Sequence, residues 1–368
     1  MRRFLLRGLT VAGLLILAAI TGAFVYAPYL PRLLAEGFPA PSWPARGSFA
    51  DIAGSTHDPL GEPAMTTLSP ALQKLFDESG GRALLVYQGG ALRIEHYAPG
   101  YSRDTAFNSY SMAKSLVGVL TLDAIANGEM GALDQRLDGI DASPRELLQM
   151  TSGIMMENHD ITAMSGFAEK DLESAIGNPL GPMARLHMTG LGEVLPLLHA
   201  DSKARGHFSY QNVNTAILGS LLGHVDERLT QKIWLPSGAG PAHWRRYTDG
   251  GDISAYCCLY ARARDFLLAG RFVMRNGMHL PDAFYREFMG LDLTEDVLTK
   301  GQYGLHVRHD ILDRAGEPLQ GRFTYFMGTG GQTVYLMPDK NLVVVRFGER
   351  PQRLHSTLYE AWRQIGAR

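Results

Sequence analysis

Two hairpin patterns near opposite ends of the chain limit its fold more than any other feature. "RALLVYQGGALRIEHYA", residues 82–98, gives two short strand-like runs around Gly89-Gly90, a pair suited to a tight turn. "QTVYLMPDKNLVVVRFG", residues 332–348, repeats the pattern around Pro338, Asp339, Lys340 and Asn341. The intervening sequence is mostly helical in character. Strands at both ends with helices between predict an α+β fold: an antiparallel sheet built from the two hairpins, flanked by helices, beside a helical lobe.

Helix signals fill in the rest. Ala71 to Ser79 reads as a short helix, and the run after Ser111 is apolar at Leu116, Val119, Leu120 and Ile125. That second helix is expected to be buried and to stop near Gly128, a suitable C-cap. "DASPRELLQMTSG" sets Ser143 as N-cap, Pro144 at the first position and Glu146 two further on, a capping box. "NTAILGSLLGHV" and about His355 to Ile365 complete the set.

The N-terminus carries Arg2, Arg3 and Arg7, then no charge from Gly8 to Leu30. An apolar run of about 20 residues is long enough to span a bilayer as a helix. The arginines favour a cytoplasmic N-terminus and an exported remainder. A cleaved signal peptide is the rival reading, but its best small-residue site, Val25-Tyr26-Ala27, is followed by Pro28. The expected organisation is an anchor helix over 1–30, a linker and irregular lead-in over 31–70, and one domain over 71–368. That places the domain on the periplasmic side of a cell inner membrane, held by a single pass.

Net charge is −2, so nothing argues for nucleic acid as a partner. The two cysteines, Cys257 and Cys258, are adjacent. Neighbouring residues rarely meet disulfide geometry, so both read as small reduced core residues. No HExxH or CxxC spacing occurs, and His306 and His309 lack a recognisable third ligand. No metal or cofactor is expected. Glu157 and Asp160 could line a cleft, though a solvated loop explains them as well.

Three short motifs bear on chemistry. In "FNSYSMAKSLVG", Ser111 and Lys114 stand i, i+3 at a helix start, on one face. First-turn amides there can hold an oxyanion, and burial beside the positive helix end disfavours an ammonium. A neutral lysine can take the serine proton. A capped helix with a solvated lysine is the plainer account, since SxxK arises about once by chance in a chain this long. In "FSYQNVNTAILG", Tyr210 could relay a proton and Asn212 could orient the lysine or a substrate carbonyl; each is equally at home as a helix-start residue. In "YFMGTGGQTVYL", Gly328, Thr329 and Gly330 precede an inferred strand, where glycine permits close backbone approach and leaves amides free. A flexible turn is the ordinary alternative.

In order and spacing these motifs resemble the serine β-lactamase and penicillin-binding superfamily. The chain is most similar to the class C β-lactamase-related hydrolases, the branch with esterases and 6-aminohexanoate-dimer hydrolase. The likeness rests also on "LDQRLDGIDASPRELLQMTSGI", "WLPSGAGPAHWRRYTDGGD", "CLYARARDFLLAGRFVMRNG" and "GTGGQTVYLMPDKNLVVVRFG", from about Arg82 to the C-terminus. The resemblance implies a β-lactamase-like fold, with Ser111 as acylated nucleophile, Lys114 as its base and Tyr210 as relay to the leaving group. Asn212 would be the polar member of the second motif. The oxyanion hole would pair the Ser111 amide with one from the Gly328–Gly330 turn, Thr329 being the chosen donor. β-Lactam-binding members carry Lys or His at the head of a KTG or HTG triplet. Here Tyr325, Phe326 or Met327 stands there, which disfavours efficient β-lactam hydrolysis and D-alanyl-D-alanine carboxypeptidase work and suits an esterase or amidase, with a weak β-lactamase or D,D-peptidase as an alternative. A non-catalytic binding or sensor module on the same scaffold is the rival from another class.

Overall fold

The computed structural model describes residues 2–37, 47–156, 179–351 and 355–366. At the N-terminus lie helices α1 (Arg2–Tyr26) and α2 (Leu30–Glu36). Among the described residues no single helix is long and apolar enough to cross a membrane. Thr10–Tyr26 and Leu30–Glu36 pass that test only together, across a bend of 91°. α2 belongs to the domain: Leu30 and Leu33 are buried against Ala184 and Met188, and Glu36 pairs with the buried Arg245 at 3.0 Å.

The stretch read as linker contributes a strand, β1 (Phe49–Ile52), followed by α3 (Pro70–Glu78). Four residues of inward Ala50 and Ile52 are too short a period-2 run to stand out in sequence. α3 starts where Ser69 accepts from the Leu72 amide and Pro70 takes the first turn. The first hairpin follows as β2 (Gly81–Gln88) and β3 (Ala91–Tyr97), turned at Gly89 and Gly90, both at positive φ. Then come β4 (Ala106–Asn108), α4 (Met112–Ala126), α5 (Pro144–Leu148) and β5 (Ile154–Met155). Ser143 and Glu146 form the expected reciprocal capping box at α5. α6 (Pro182–Thr189), β6 (His199–Ala200) and α7 (Asn212–Leu222) make up the helical side. Glu157, Asp160 and much of the insert between β5 and α6 lie outside the described residues.

Among the elements that follow are β7 (Ala242–Arg245), β8 (Leu259–Arg262), α8 (Ala263–Met274), β9 (Gln302–Gly304), β10 (Val307–Leu312), β11 (Gly321–Gly328), β12 (Gln332–Met337), β13 (Leu342–Gly348) and α9 (Ser356–Gly366), with shorter helices between them. The main sheet runs β3-β2-β13-β12-β11-β10-β9, antiparallel throughout, so the two hairpins join through β2 and β13. A four-stranded sheet, β1-β7-β8-β4, and the pair β5-β6 stand beside it. One face of the main sheet packs on α4 and α8, the other on α3 and α9.

α4 is buried on every side from Met112 to Ala124, wedged between α7 and strands β10 to β12. Its close seat depends on Gly118, where a Cβ would come within 2.6 Å of the Leu305 carbonyl oxygen. One expectation is overturned outright: Cys257 and Cys258 are joined in a disulfide. Cys258 adopts a left-handed backbone, φ 74°, and the turn this makes lets adjacent side chains meet.

Candidate active site

The chain reaches the start of α4 through a braced turn. The Ser109 amide donates to the Leu259 carbonyl at 2.8 Å, and the Leu259 amide donates back to Ser109 Oγ at 3.1 Å. Tyr110 stands at φ 44°, a strained conformation for a non-glycine residue, with its amide held 2.8 Å from Asn108 Oδ1. This turn delivers Ser111 to the N-cap position. Its hydroxyl makes no capping bond. Instead it lies 2.9 Å from Lys114 Nζ, one helical turn on.

Lys114 is only 1% exposed. Nζ bonds Ser111 Oγ, the Tyr256 carbonyl oxygen at 2.9 Å and the Tyr210 hydroxyl. It also sits over the Tyr210 ring, 5.0 Å from the centroid. Burial pulls the lysine pKa below its ordinary value, Tyr210 opposes that pull, and the nearby Arg308 cation adds to it. Among the described residues no carboxylate is paired with it, and a buried ammonium without one loses its proton more readily than a solvated one, which is the property a general base needs. The sequence reading of a solvated surface lysine is excluded by this burial.

Tyr210 precedes α7 on a loop pinned by the Ser209 amide to the Met150 carbonyl at 2.8 Å, and its ring packs edge-on against Tyr303. Tyr303 in turn bonds His306 Nδ1 at 3.2 Å, and His306 Nε2 meets Thr215 Oγ1 at 3.0 Å. Burial, aided by the Lys114 charge, drives the His306 pKa down to about 3, so this histidine is a neutral brace. His309 bonds Thr324 Oγ1 at 2.9 Å. Asn212 makes no bond to Lys114: its amide nitrogen donates to Met183 Sδ at 3.3 Å, and among the described residues its buried Oδ1 has no partner.

The glycine turn meets the nucleophile directly. A Cβ on Gly328 would lie 2.3 Å from the Ser109 carbonyl oxygen and 3.2 Å from the Ser111 amide nitrogen, so only glycine lets β11 end there. Thr329 to Gly331 form a tight turn into β12, with Gly330 at φ 78°. Ser111, Lys114, Tyr210 and Gly328 therefore converge on one point. Tyr256 is the member that sequence reasoning missed, because it acts through a backbone oxygen that no side-chain motif marks.

A beta-lactamase family model matches residues 72–257, half of the chain. The chain belongs to the beta-lactamase family. Solved structures agree in fold. A Bacillus anthracis protein assigned as a 6-aminohexanoate-dimer hydrolase matches with a TM-score of 0.67 at 20% identity, over 87% of this chain and 90% of that one. A penicillin binding protein from Bacillus halodurans matches at 0.56 and 17% identity, over 80% and 99%. A D-stereospecific amidohydrolase from a Streptomyces species matches at 0.55 and 17%, over 79% and 97%. No protein of curated function matches the chain in sequence. Within the beta-lactamase family model fall Ser111, Lys114, Tyr210 and Asn212, whereas the Gly328–Gly330 turn lies beyond its matched span.

Proposed function

We propose that the protein is a membrane-anchored, extracytoplasmic serine hydrolase that cleaves an ester or amide through an acyl-enzyme. The observation that carries the reading is the 2.9 Å contact between Ser111 Oγ and a buried Lys114 whose proton is loosely held. Ser111 Oγ attacks the substrate carbonyl as its proton passes to Lys114 Nζ. The resulting oxyanion sits between the Ser111 and Thr329 amides, and its collapse breaks the bond to the alcohol or amine. Tyr210, bonded to Lys114, passes the proton to that leaving group. Water, deprotonated through the same pair, then releases the acid and restores Ser111.

Substrate type follows from what replaces the cation of the β-lactam binders. With Gly328 against the Ser111 backbone as the third member of the triplet, Phe326 stands at its head, and it is buried. An aromatic ring there favours an ester or amide substrate without a carboxylate to be gripped at that point. The anchor reading draws support from α1, whose residues Val11, Leu14, Leu15, Ile16 and Leu17 are all more than half exposed. Apolar surface on that scale calls for a covering medium, and lipid fits.

The test uses the full-length chain in mild detergent, because α2 packs on the domain. Intact mass after a fluorophosphonate probe is compared between wild type and Ser111→Ala, alongside p-nitrophenyl butyrate and nitrocefin hydrolysis. One adduct in the wild type alone, with ester turnover and little nitrocefin turnover, is expected. Wild-type turnover in Ser111→Ala would sink the mechanism.

A further inference from the structure

Arg346, on β13, is 1% exposed, and among the described residues no carboxylate pairs with it. A buried guanidinium without a counter-ion is costly, so what it touches is informative. Its bonds all go to backbone carbonyls. Nη1 donates to Gly330 O at 3.0 Å and Gly331 O at 2.8 Å, and Nη2 donates to Ser79 O at 2.7 Å. Two glycines make the space: a Cβ on Gly331 would lie 2.8 Å from Nη1, and one on Gly348 would lie 2.2 Å from Nη2.

Gln332 holds the same turn through its side-chain amide. Nε2 donates to Thr329 O at 2.8 Å and to Gly348 O at 2.6 Å, while Oε1 accepts from the Gly348 amide at 2.9 Å. Three successive carbonyls, those of Thr329, Gly330 and Gly331, are thus taken by two buried side chains. Neither side chain takes an amide of the turn. Each carbonyl shares a rigid peptide plane with the N–H of the next residue, so these bonds fix the planes that follow Thr329, Gly330 and Gly331. They pin the backbone of Thr329 from its C-terminal side, next to the Gly328 that abuts Ser111. Burial draws the Arg346 pKa down to about 10, yet it remains a full cation at neutral pH behind the turn.

We infer that Arg346 and Gln332 are positioning residues for the oxyanion-binding turn, holding its backbone in the shape that keeps the Thr329 amide beside the carbonyl that Ser111 attacks. The inference rests on the acyl-enzyme reading. It separates two roles that the fold alone would merge, bracing a sheet connection and setting transition-state geometry.

The test measures full-length wild type, Gln332→Ala and Arg346→Met with p-nitrophenyl butyrate, an alkyl boronic acid as transition-state analogue, and thermal unfolding. Misaiming one oxyanion donor should lower kcat roughly 10- to 100-fold, somewhat less than deleting such a donor. KM should stay within about threefold, and the boronic acid should bind more weakly by a factor matching the kcat loss. The acidic limb of the pH–rate profile, set by Lys114, should stay in place. If Arg346→Met does not fold, Gln332→Ala decides. A folded Gln332→Ala with wild-type kcat and boronate affinity, but a lower melting temperature, would overturn this inference alone. Absence of wild-type turnover would overturn the acyl-enzyme reading and this inference with it.

Discussion

The Tyr256 hydroxyl lies 3.1 Å from His187 Nδ1, tying α6 to the residue whose carbonyl holds Lys114. Burial, with the Arg245 and Arg32 cations nearby, drives the His187 pKa well below its ordinary value, so the ring is neutral. Replacing it by phenylalanine keeps the volume and removes the bond. His187→Phe should lose about 1–2 kcal/mol of stability and several-fold in kcat, because the Tyr256 carbonyl is no longer steadied. Urea unfolding and steady-state kinetics check both.

Lys114 should leave its mark on pH dependence. The neutral amine is the base, so kcat/KM should fall as the pH drops through the lowered lysine pKa, giving an acidic limb below the ordinary lysine range. The same shift sets a stability trend of defined sign. Between the folded value and the ordinary one, the unfolded chain binds the proton that the folded chain does not, so stability rises with pH. Wild type should therefore gain on Lys114→Met as the pH is raised towards the ordinary lysine value. Unfolding curves for both proteins across that range would show the gap moving, and a constant gap would contradict it. Lys114→Met should also lower kcat by roughly 10³-fold or more.

The Cys257–Cys258 bond adjoins Tyr256 in sequence, and its turn is held by Trp244 Nε1 to Cys257 O at 2.8 Å and the Arg245 amide to Cys258 O at 3.1 Å. Reduction by a dithiol places one hydrogen on each sulfur and frees the turn. We expect kcat to fall by about tenfold, since small displacements of a base's partner are amplified in rate. The double variant Cys257→Ser with Cys258→Ser should match the reduced wild type and ignore dithiothreitol. Thiol alkylation followed by intact mass reports the redox state in the same samples.

Away from the site, Arg264 and Glu95 form a pair 2% and 3% exposed, 2.7 Å apart, extended by Asp58 and Arg103. Burial pushes the Glu95 carboxyl up, but bonds from Arg264 and Tyr97 outweigh it and leave the pKa lowered. A depressed carboxylate contributes stability above its ordinary range and loses it as the pH falls through the folded value. Glu95→Ala should cost about 3 kcal/mol at neutral pH and flatten the acid limb of the unfolding profile. Equal acid sensitivity in the variant would assign that limb to other groups.

The hairpins, the capping box at Ser143 and the helix after Ser111 were legible because each follows a local period or cap. Ser111 and Lys114 were legible because helix geometry alone brings i and i+3 together. Strands β9 and β10 were hidden by polar positions such as Arg308, His309 and Asp310, which find partners only through tertiary packing. Tyr256, Gln332 and Arg346 were hidden for another reason. They act through carbonyl oxygens, as acceptor or as donor to one, and a backbone atom has no letter in a sequence. Asn212 shows the converse: a motif residue whose bond, to Met183, a spacing could not foretell.

Gly118, within α4, and Gly328, at the end of β11, let the helix and the turn that leads into it seat closely: a Cβ on the first would lie 2.6 Å from the Leu305 carbonyl oxygen, and one on the second 2.3 Å from that of Ser109. Together they leave α4 a single berth along its own axis. A slip of one residue would advance the helix about 1.5 Å and turn Lys114 about 100° away from its partners. Insertions or deletions in the approach to Ser111 therefore have nowhere to go. The spacing of this segment is a mechanical constant of the molecule, and length variation should be confined to the loops on either side.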